Sequence, residues 1–128
     1  MRNVMRAVIG LVGLFNLGIG LGFLLAPQKL AAGFFIIPLG TQGLATLRAD
    51  FPGFFIGAAV FTLIAARRGE ARPLLVPIVI IGLALLGRCL SLAADGTPLT
   101  ALPPMLVETL MLVLLALAYR QFSTGDAP

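Results

Sequence analysis

Four long apolar stretches, separated by short polar turns, dominate the pattern of hydrophobic and polar positions along this chain. The first stretch runs from Ala7 to Ala26 and is interrupted only by Asn16. As a helix it is roughly 30 Å long, the thickness of the hydrocarbon core of a bilayer. The pattern therefore predicts an all-α integral membrane four-helix bundle, a single domain over residues 1–128 with spans at about 4–26, 43–66, 73–94 and 100–119.

The longest connection, residues 28–46, joins the first two spans. It contains Lys29, the pair Phe34 and Phe35, and Pro38 among several glycines. Proline and glycine this close together argue against a continuous spanning helix. A cation beside aromatic residues is typical of a short interfacial segment, which lies on the bilayer or packs over the mouth of the bundle. An apolar loop that caps the bundle fits the same residues.

The second span places Arg48 and Asp50 in its first turns, with Pro52 inside the helix. An internal proline removes a backbone hydrogen bond, so it should kink the helix or mark a restart. Asp50 could cap such a restart by accepting hydrogen bonds from backbone N–H groups.

Composition agrees with a membrane location. Apolar residues make up 59% of the chain and charged residues 11%, whereas about a quarter of the residues of a soluble domain are charged. Histidine is absent, which excludes histidine-ligated haem and the Ser-His-Asp triad and disfavours catalytic zinc. The single Cys89 cannot form an internal disulfide. We expect no cofactor, no metal and, without a basic run, no nucleic-acid partner.

The basic residues are unevenly distributed between the two ends of the predicted bundle. One end carries only Lys29 and the membrane-edge Arg48, whereas the other carries Arg2, Arg6, Arg67, Arg68, Arg72 and Arg120. Short cytoplasmic loops are enriched in Lys and Arg. The distribution predicts a multi-pass protein of the bacterial inner (plasma) membrane with both termini in the cytoplasm.

Alternating spans bring five ionisable residues to the end of the bundle opposite the termini. Charges facing lipid are costly, so these residues should face inward and pair. The preferred pair is Arg88 with Glu108, and Arg48 with Glu108 is the alternative. The predicted five-ion group consists of Arg48, Asp50, Arg88, Asp95 and Glu108.

This predicted group admits two interpretations. It could be a salt-bridge network that only fixes the register of the helices. It could instead line a polar pocket for an amphipathic ligand or a lipid headgroup. Acid–base catalysis by Glu108 or Asp50 is a further hypothesis, because desolvation can tune a carboxyl group for proton transfer.

Small and polar residues inside the spans predict how the helices pack. Asn16 should form a hydrogen bond across helices, in preference to contacting a ligand. Glycines at four-residue spacing allow close approach of helix backbones, and two such pairs occur, Gly18 with Gly22 and Gly53 with Gly57. We expect them to pack the first two spans together.

The segment 47–53, the segments 87–92 and 95–98, and Glu108 together resemble a bacterial membrane family known as domain of unknown function 4345. The resemblance covers most of the chain and implies four spans with a shared polar cluster, but no reaction. Pro52 stands where that family has a glycine. The layout is also loosely similar to four-span sterol-binding and sterol-isomerising proteins, whose chemistry we do not carry over without histidine or an aromatic-rich cavity.

Two functional hypotheses follow. The first is a non-enzymatic bundle that binds lipid or a small ligand, or an accessory subunit of a larger membrane complex. Its partners would be membrane lipids and, in the second version, other membrane subunits. The alternative is a small membrane enzyme acting on a lipid or isoprenoid, with Glu108 or Asp50 as the acid–base residue. A channel or transporter is the weakest option, because charges at one end do not trace a pathway.

Overall fold

A computed structural model describes residues 1–96 and 99–124 as an arrangement of five α-helices. Short 3₁₀ turns precede the last two helices, at Arg72–Leu74 and Leu99–Ala101. The predicted all-α class with four long spans is confirmed. The helices are α1 (Arg2–Leu25), α2 (Pro27–Gly33), α3 (Gly40–Arg68), α4 (Leu75–Asp95) and α5 (Leu102–Ser123).

The four longer helices are each long and apolar enough to cross a membrane. Large apolar side chains cover their outward surfaces; Leu11, Leu83 and Leu106, for example, are between 62% and 69% exposed. Such a surface is stable in hydrocarbon and unfavourable in water. The chain is therefore a multi-pass membrane protein.

α1 and α3 pack against each other along most of their length, in antiparallel register, and form the most extensive interface in the molecule. The start of α1 lies beside the end of α3, where Arg6 contacts Ala66. At the other end of α1, Phe23 packs on Phe51 with ring centroids 4.4 Å apart. Arg2 lies over the ring of Phe122 at the end of α5. The N-terminus of α1 and the C-termini of α3 and α5 therefore lie at the same end of the bundle.

The α1–α3 interface depends on two glycines that the sequence analysis did not select. A Cβ at Gly20 would lie 2.5 Å from Ile56 Cγ1 and 3.1 Å from its backbone nitrogen, and one at Gly13 would lie 2.8 Å from Leu63. Of the predicted packing glycines, only Gly22 is tightly packed, against Leu30 of α2. The predicted packing of the first two spans by these glycines was therefore wrong: Gly22 contacts α2 and not the second span, and a Cβ would meet no atom within 4 Å at Gly18, Gly53 or Gly57.

Two arginines of α1 satisfy the carbonyl groups at the end of α3. Arg2 Nη2 donates to Gly69 O at 2.9 Å, and Arg6 Nε donates to Ala66 O at 2.7 Å. Arg6 Nη2 also donates to the carbonyl of Arg67. Gly69 ends the helix with φ of 72°, a conformation that glycine adopts without strain. Cations are favourable here because the last carbonyls of a helix carry partial negative charge.

We expect Arg6→Gln to lower the free energy of unfolding by about 1 kcal/mol, the scale of a charged hydrogen bond at a partly exposed helix end. Arg68→Gln is the matched control, because Arg68 is 64% exposed and its 3.9 Å ion pair with Glu70 is weak. Both variants remove one charge from the same end of the bundle. Unfolding of the detergent-solubilised protein would compare them, and equal stabilities would contradict the capping role.

The segment predicted to be interfacial contains α2, which packs over the end of the bundle opposite the termini. Leu30 fills the space above Gly22, Ala31 is fully buried, and Phe34 contacts Phe23 with ring centroids 5.2 Å apart. α3 then runs without interruption through Pro52. The alternative of a helix restart at this proline was therefore wrong, and with it the capping role of Asp50.

Candidate functional site

A charged pair joins α4 and α5 in the half of the bundle that lies away from the termini. Arg88 Nε donates to both Oε1 and Oε2 of Glu108, each at 2.9 Å. The side chains are 34% and 15% exposed, respectively. The structure thus forms the preferred pair of the sequence analysis and not the alternative between Arg48 and Glu108. A short connection between antiparallel helices places these two residues at one depth.

Arg88 retains most of its hydrogen-bonding capacity. A guanidinium group carries five N–H donors, and within the described part of the chain only Nε donates to a protein acceptor. Glu108 therefore holds the side chain in place and leaves both Nη groups available. A guanidinium presented in this way can bind a carboxylate or phosphate through two parallel hydrogen bonds.

Arg88 and Phe34 both line three adjacent cavities, which form one cleft between the α1–α3 pair and the α4–α5 hairpin. The deep chamber has a volume of about 170 Å³ and the middle chamber about 280 Å³. The mouth, between Phe35 and the start of α5 at Pro103, measures about 700 Å³. This cleft lies on the charged pair and is large enough for part of a lipid or a small apolar molecule.

Asn16 lines the deep chamber and is 1% exposed. Its Nδ2 donates to Val12 O at 2.9 Å and contacts Met111 Sδ at 3.4 Å. The predicted bond across helices is therefore present, in the weak form that a sulfur acceptor gives. Its Oδ1 is buried and has no hydrogen-bond partner among the described residues. An unsatisfied buried acceptor costs about 1–3 kcal/mol, so this oxygen is a ready acceptor for a ligand.

Aromatic side chains from three parts of the chain form the walls of the deep chamber: Phe15, Phe34, Phe54 and Phe55. The expectation that the protein lacks an aromatic-rich cavity was wrong. A signal was present in α3, where Phe51, Phe54 and Phe55 have the three- and four-residue spacing that places side chains on one helix face. Phe34 packs on Phe55 with ring centroids 6.0 Å apart, and this contact could not be read from the sequence.

The remaining members of the predicted five-ion group do not gather in one place. Asp50 lines the middle chamber together with Arg88 and Glu108. Arg48 lines a separate depression beside Lys29, and Asp95 is exposed at the last position of α4. Residues two apart on a helix point in directions roughly 200° apart, so Arg48 and Asp50 cannot line the same chamber.

The mouth of the cleft contains a strained residue. Phe35 has φ of 59° and is 78% exposed, and a left-handed conformation costs a bulky residue on the order of 1–3 kcal/mol. Phe35 follows the C-terminus of α2, and its left-handed conformation lets Ile36 N donate to Ala31 O at 2.9 Å, which caps the helix. No three metal-ligating side chains lie together in residues 1–96 and 99–124. The cleft is lined by the guanidinium of Arg88, the amide of Asn16 and an aromatic wall.

The fold and this charged cleft can be compared with known proteins. A family profile described as a domain of unknown function, DUF4345, matches residues 4–119. No curated protein and no solved structure matches the chain. Because the profile covers all four long helices, the protein belongs to the DUF4345 family.

Proposed function

We propose that this protein binds an amphipathic lipid or small apolar ligand in the cleft, with an acceptor-rich head group on Arg88. The observation that carries the proposal is the geometry of the pair. Nε is held by both oxygens of Glu108, the Nη groups bond to no protein acceptor among the described residues, and Arg88 lines the cleft. An arginine that served only as a structural link would be expected to engage the carboxylate through its fork.

The other residues that line the cleft indicate that most of this ligand is apolar. The aromatic wall would contact rings or acyl chains, and aromatic faces contribute large contact areas. Asn16 Oδ1 would accept a hydrogen bond from a hydroxyl or amine group of the ligand deep in the bundle. The accessory-subunit version of the hypothesis does not require an arginine with available donors inside a cavity, so the cleft favours ligand binding.

The location that we propose is the bacterial inner membrane, with both termini in the cytoplasm. The ends of α1, α3 and α5 that lie together carry the arginines at positions 2, 6, 67, 68 and 120, which supports this orientation by the excess of basic residues in cytoplasmic segments. In this orientation the mouth of the cleft lies near the outer leaflet.

An enzymatic role is the second candidate, supported by the position of Asp50 on the middle chamber. Glu108 fits an acid–base role less well, because both of its oxygens accept from the same guanidinium nitrogen. Comparison of lipid profiles from cells that make the wild type or Asp50→Asn tests this role. An enzyme would show accumulated substrate in the variant, whereas identical profiles would exclude catalysis by Asp50.

We expect Arg88→Lys to lose the bound amphiphile while it retains the helical fold. A lysine can still pair with Glu108, but it does not supply the planar fork that would hold the ligand. Native mass spectrometry of protein extracted gently from membranes measures this as the fraction of protein that carries a lipid-sized adduct. The wild type and Arg88→Lys are compared in a Lys29→Gln, Arg48→Gln background, so that a lipid held by those two cations is not counted. We expect at least a tenfold smaller fraction, on the scale of one charged hydrogen bond.

Arg67→Gln is the control, since Arg67 is exposed in the last turn of α3, at the end of the bundle away from the cleft. It should carry the same adduct as the wild type. Equal adducts on wild type and Arg88→Lys, or a wild type that carries none, would contradict the proposed function. Circular dichroism of each variant distinguishes loss of binding from loss of fold.

A further inference from the structure

A second polar depression lies apart from the cleft, where the turn between α1 and α2 meets the first turns of α3. It has a volume of about 180 Å³, and its polar walls are Gln28, Lys29 and Arg48. Leu25 and Leu44 form its apolar walls. Neither Arg88 nor Glu108 lines it, so its chemistry is independent of the proposed ligand site.

The two cations of this depression lack an acidic partner in the described part of the chain. The ion pairs found there are Arg68 with Glu70 and Arg88 with Glu108. Asp50, the nearest acidic residue along α3, lines the middle chamber of the cleft instead. Two positive charges that share one small depression repel each other, and an anion between them would remove that repulsion.

The surroundings of the depression are those of the boundary between hydrocarbon and headgroups. Leu25 is 83% exposed beside it, and the segment after α2 exposes Ile37 and Leu39 to 87% and 85%. Apolar side chains beside long cations are typical of a surface that enters the headgroup region, with the apolar residues in the acyl layer. An anion that reaches Lys29 and Arg48 at this level is most simply the phosphate of a lipid.

We infer that Lys29 and Arg48 form a binding site for the phosphate of an anionic phospholipid. Arg48 would hold two phosphate oxygens through its fork, and Lys29 would contribute a point charge. The Gln28 amide would donate to a third oxygen, and the acyl chains would lie along Leu25. Basic pockets beside membrane helices bind anionic headgroups in this way, and each cation near the surface contributes about fivefold in affinity.

Titration of the detergent-solubilised full chain with phosphatidylglycerol, phosphatidylcholine or inorganic phosphate tests this inference by native mass spectrometry. We expect the wild type to prefer phosphatidylglycerol to phosphatidylcholine. The Lys29→Gln, Arg48→Gln double variant should bind phosphatidylglycerol about 30-fold more weakly, twice the effect of one cation on a logarithmic scale. The Lys29→Arg, Arg48→Lys double variant keeps both charges and should retain most of the affinity.

The matched control is the Arg67→Gln, Arg68→Gln double variant, which removes two charges from the opposite end of α3 and should leave the affinity unchanged. Equal affinity in the wild type and the Lys29, Arg48 double variant would overturn the site. Inorganic phosphate that displaces phosphatidylglycerol at equal concentration would overturn the lipid assignment and leave a free-phosphate site. Arg88→Lys should bind phosphatidylglycerol at the Lys29 and Arg48 site as tightly as the wild type does. Failure of this inference can therefore be distinguished from failure of the proposed function.

Discussion

Arg88→Gln should lower the free energy of unfolding by about 3 kcal/mol, and Glu108→Gln by about 2 kcal/mol. Breaking a buried ion pair by removing one partner costs about 3–5 kcal/mol, and partial exposure reduces that cost. The order follows from burial: Glu108 is 15% exposed and Arg88 34%, so the carboxylate left behind in Arg88→Gln is less able to reach water than the guanidinium left behind in Glu108→Gln. Equilibrium unfolding in mixed micelles measures both values.

The double variant Arg88→Gln, Glu108→Gln completes a thermodynamic cycle for this pair. It should be more stable than the sum of the single effects predicts, by about 1–3 kcal/mol, because no charge is left without a partner. Asp95→Asn is the control, since Asp95 is exposed at the end of α4 and should change stability by less than about 0.5 kcal/mol. Additive single effects would mean that the pair contributes nothing to the bundle.

The second large effect is expected for Gly20→Ala, which should destabilise the protein by about 2–3 kcal/mol. The added Cβ would lie 3.1 Å from the backbone nitrogen of Ile56 as well as 2.5 Å from its side chain. A side chain can rotate away, but the backbone of α3 cannot, so the two helices must separate and lose contact along their length. The same unfolding assay measures the change.

Two further glycines of α1 provide a graded control with the same substitution. Gly13→Ala meets Cδ2 and Cγ of the Leu63 side chain at 2.8 Å but no backbone atom closer than 3.5 Å, so it should cost less than Gly20→Ala. Gly18→Ala meets nothing within 4 Å, so it should be neutral or slightly stabilising through helix propensity. If Gly18→Ala were as destabilising as Gly20→Ala, then helix packing would not be the cause.

The charged pair could be predicted from the sequence because it depends on depth alone. Arg88 and Glu108 lie at matching distances from the turn between two consecutive antiparallel helices, and a long cation can reach a carboxylate at that depth whatever the small rotations of the helices. The four spans were predictable for the same reason, since length and hydropathy do not depend on which face of a helix points inward.

Features that depend on the rotation of each helix about its axis could not be predicted. The pattern Gly18-x-x-x-Gly22 marks one face of α1, but the opposite face, with Gly13 and Gly20, packs against α3. Likewise, the rotation of α3 about its axis places Asp50 on the cleft and Arg48 outside it. Depth is encoded in local sequence, whereas rotation is decided by side-chain packing between distant segments.

The contact between the first residues of α1 and the end of α3 has a consequence for biosynthesis. Arg2 and Arg6 are made about 60 positions before the carbonyl groups that they bind, so the first span is synthesised before these partners exist. Until α3 is made, neither guanidinium group has its carbonyl partners, and in the proposed orientation both would lie at the cytoplasmic surface of the membrane. Packing of α3 against α1 then supplies those carbonyl groups. In the proposed orientation the same two side chains would first favour a cytoplasmic N-terminus and would later cap α3.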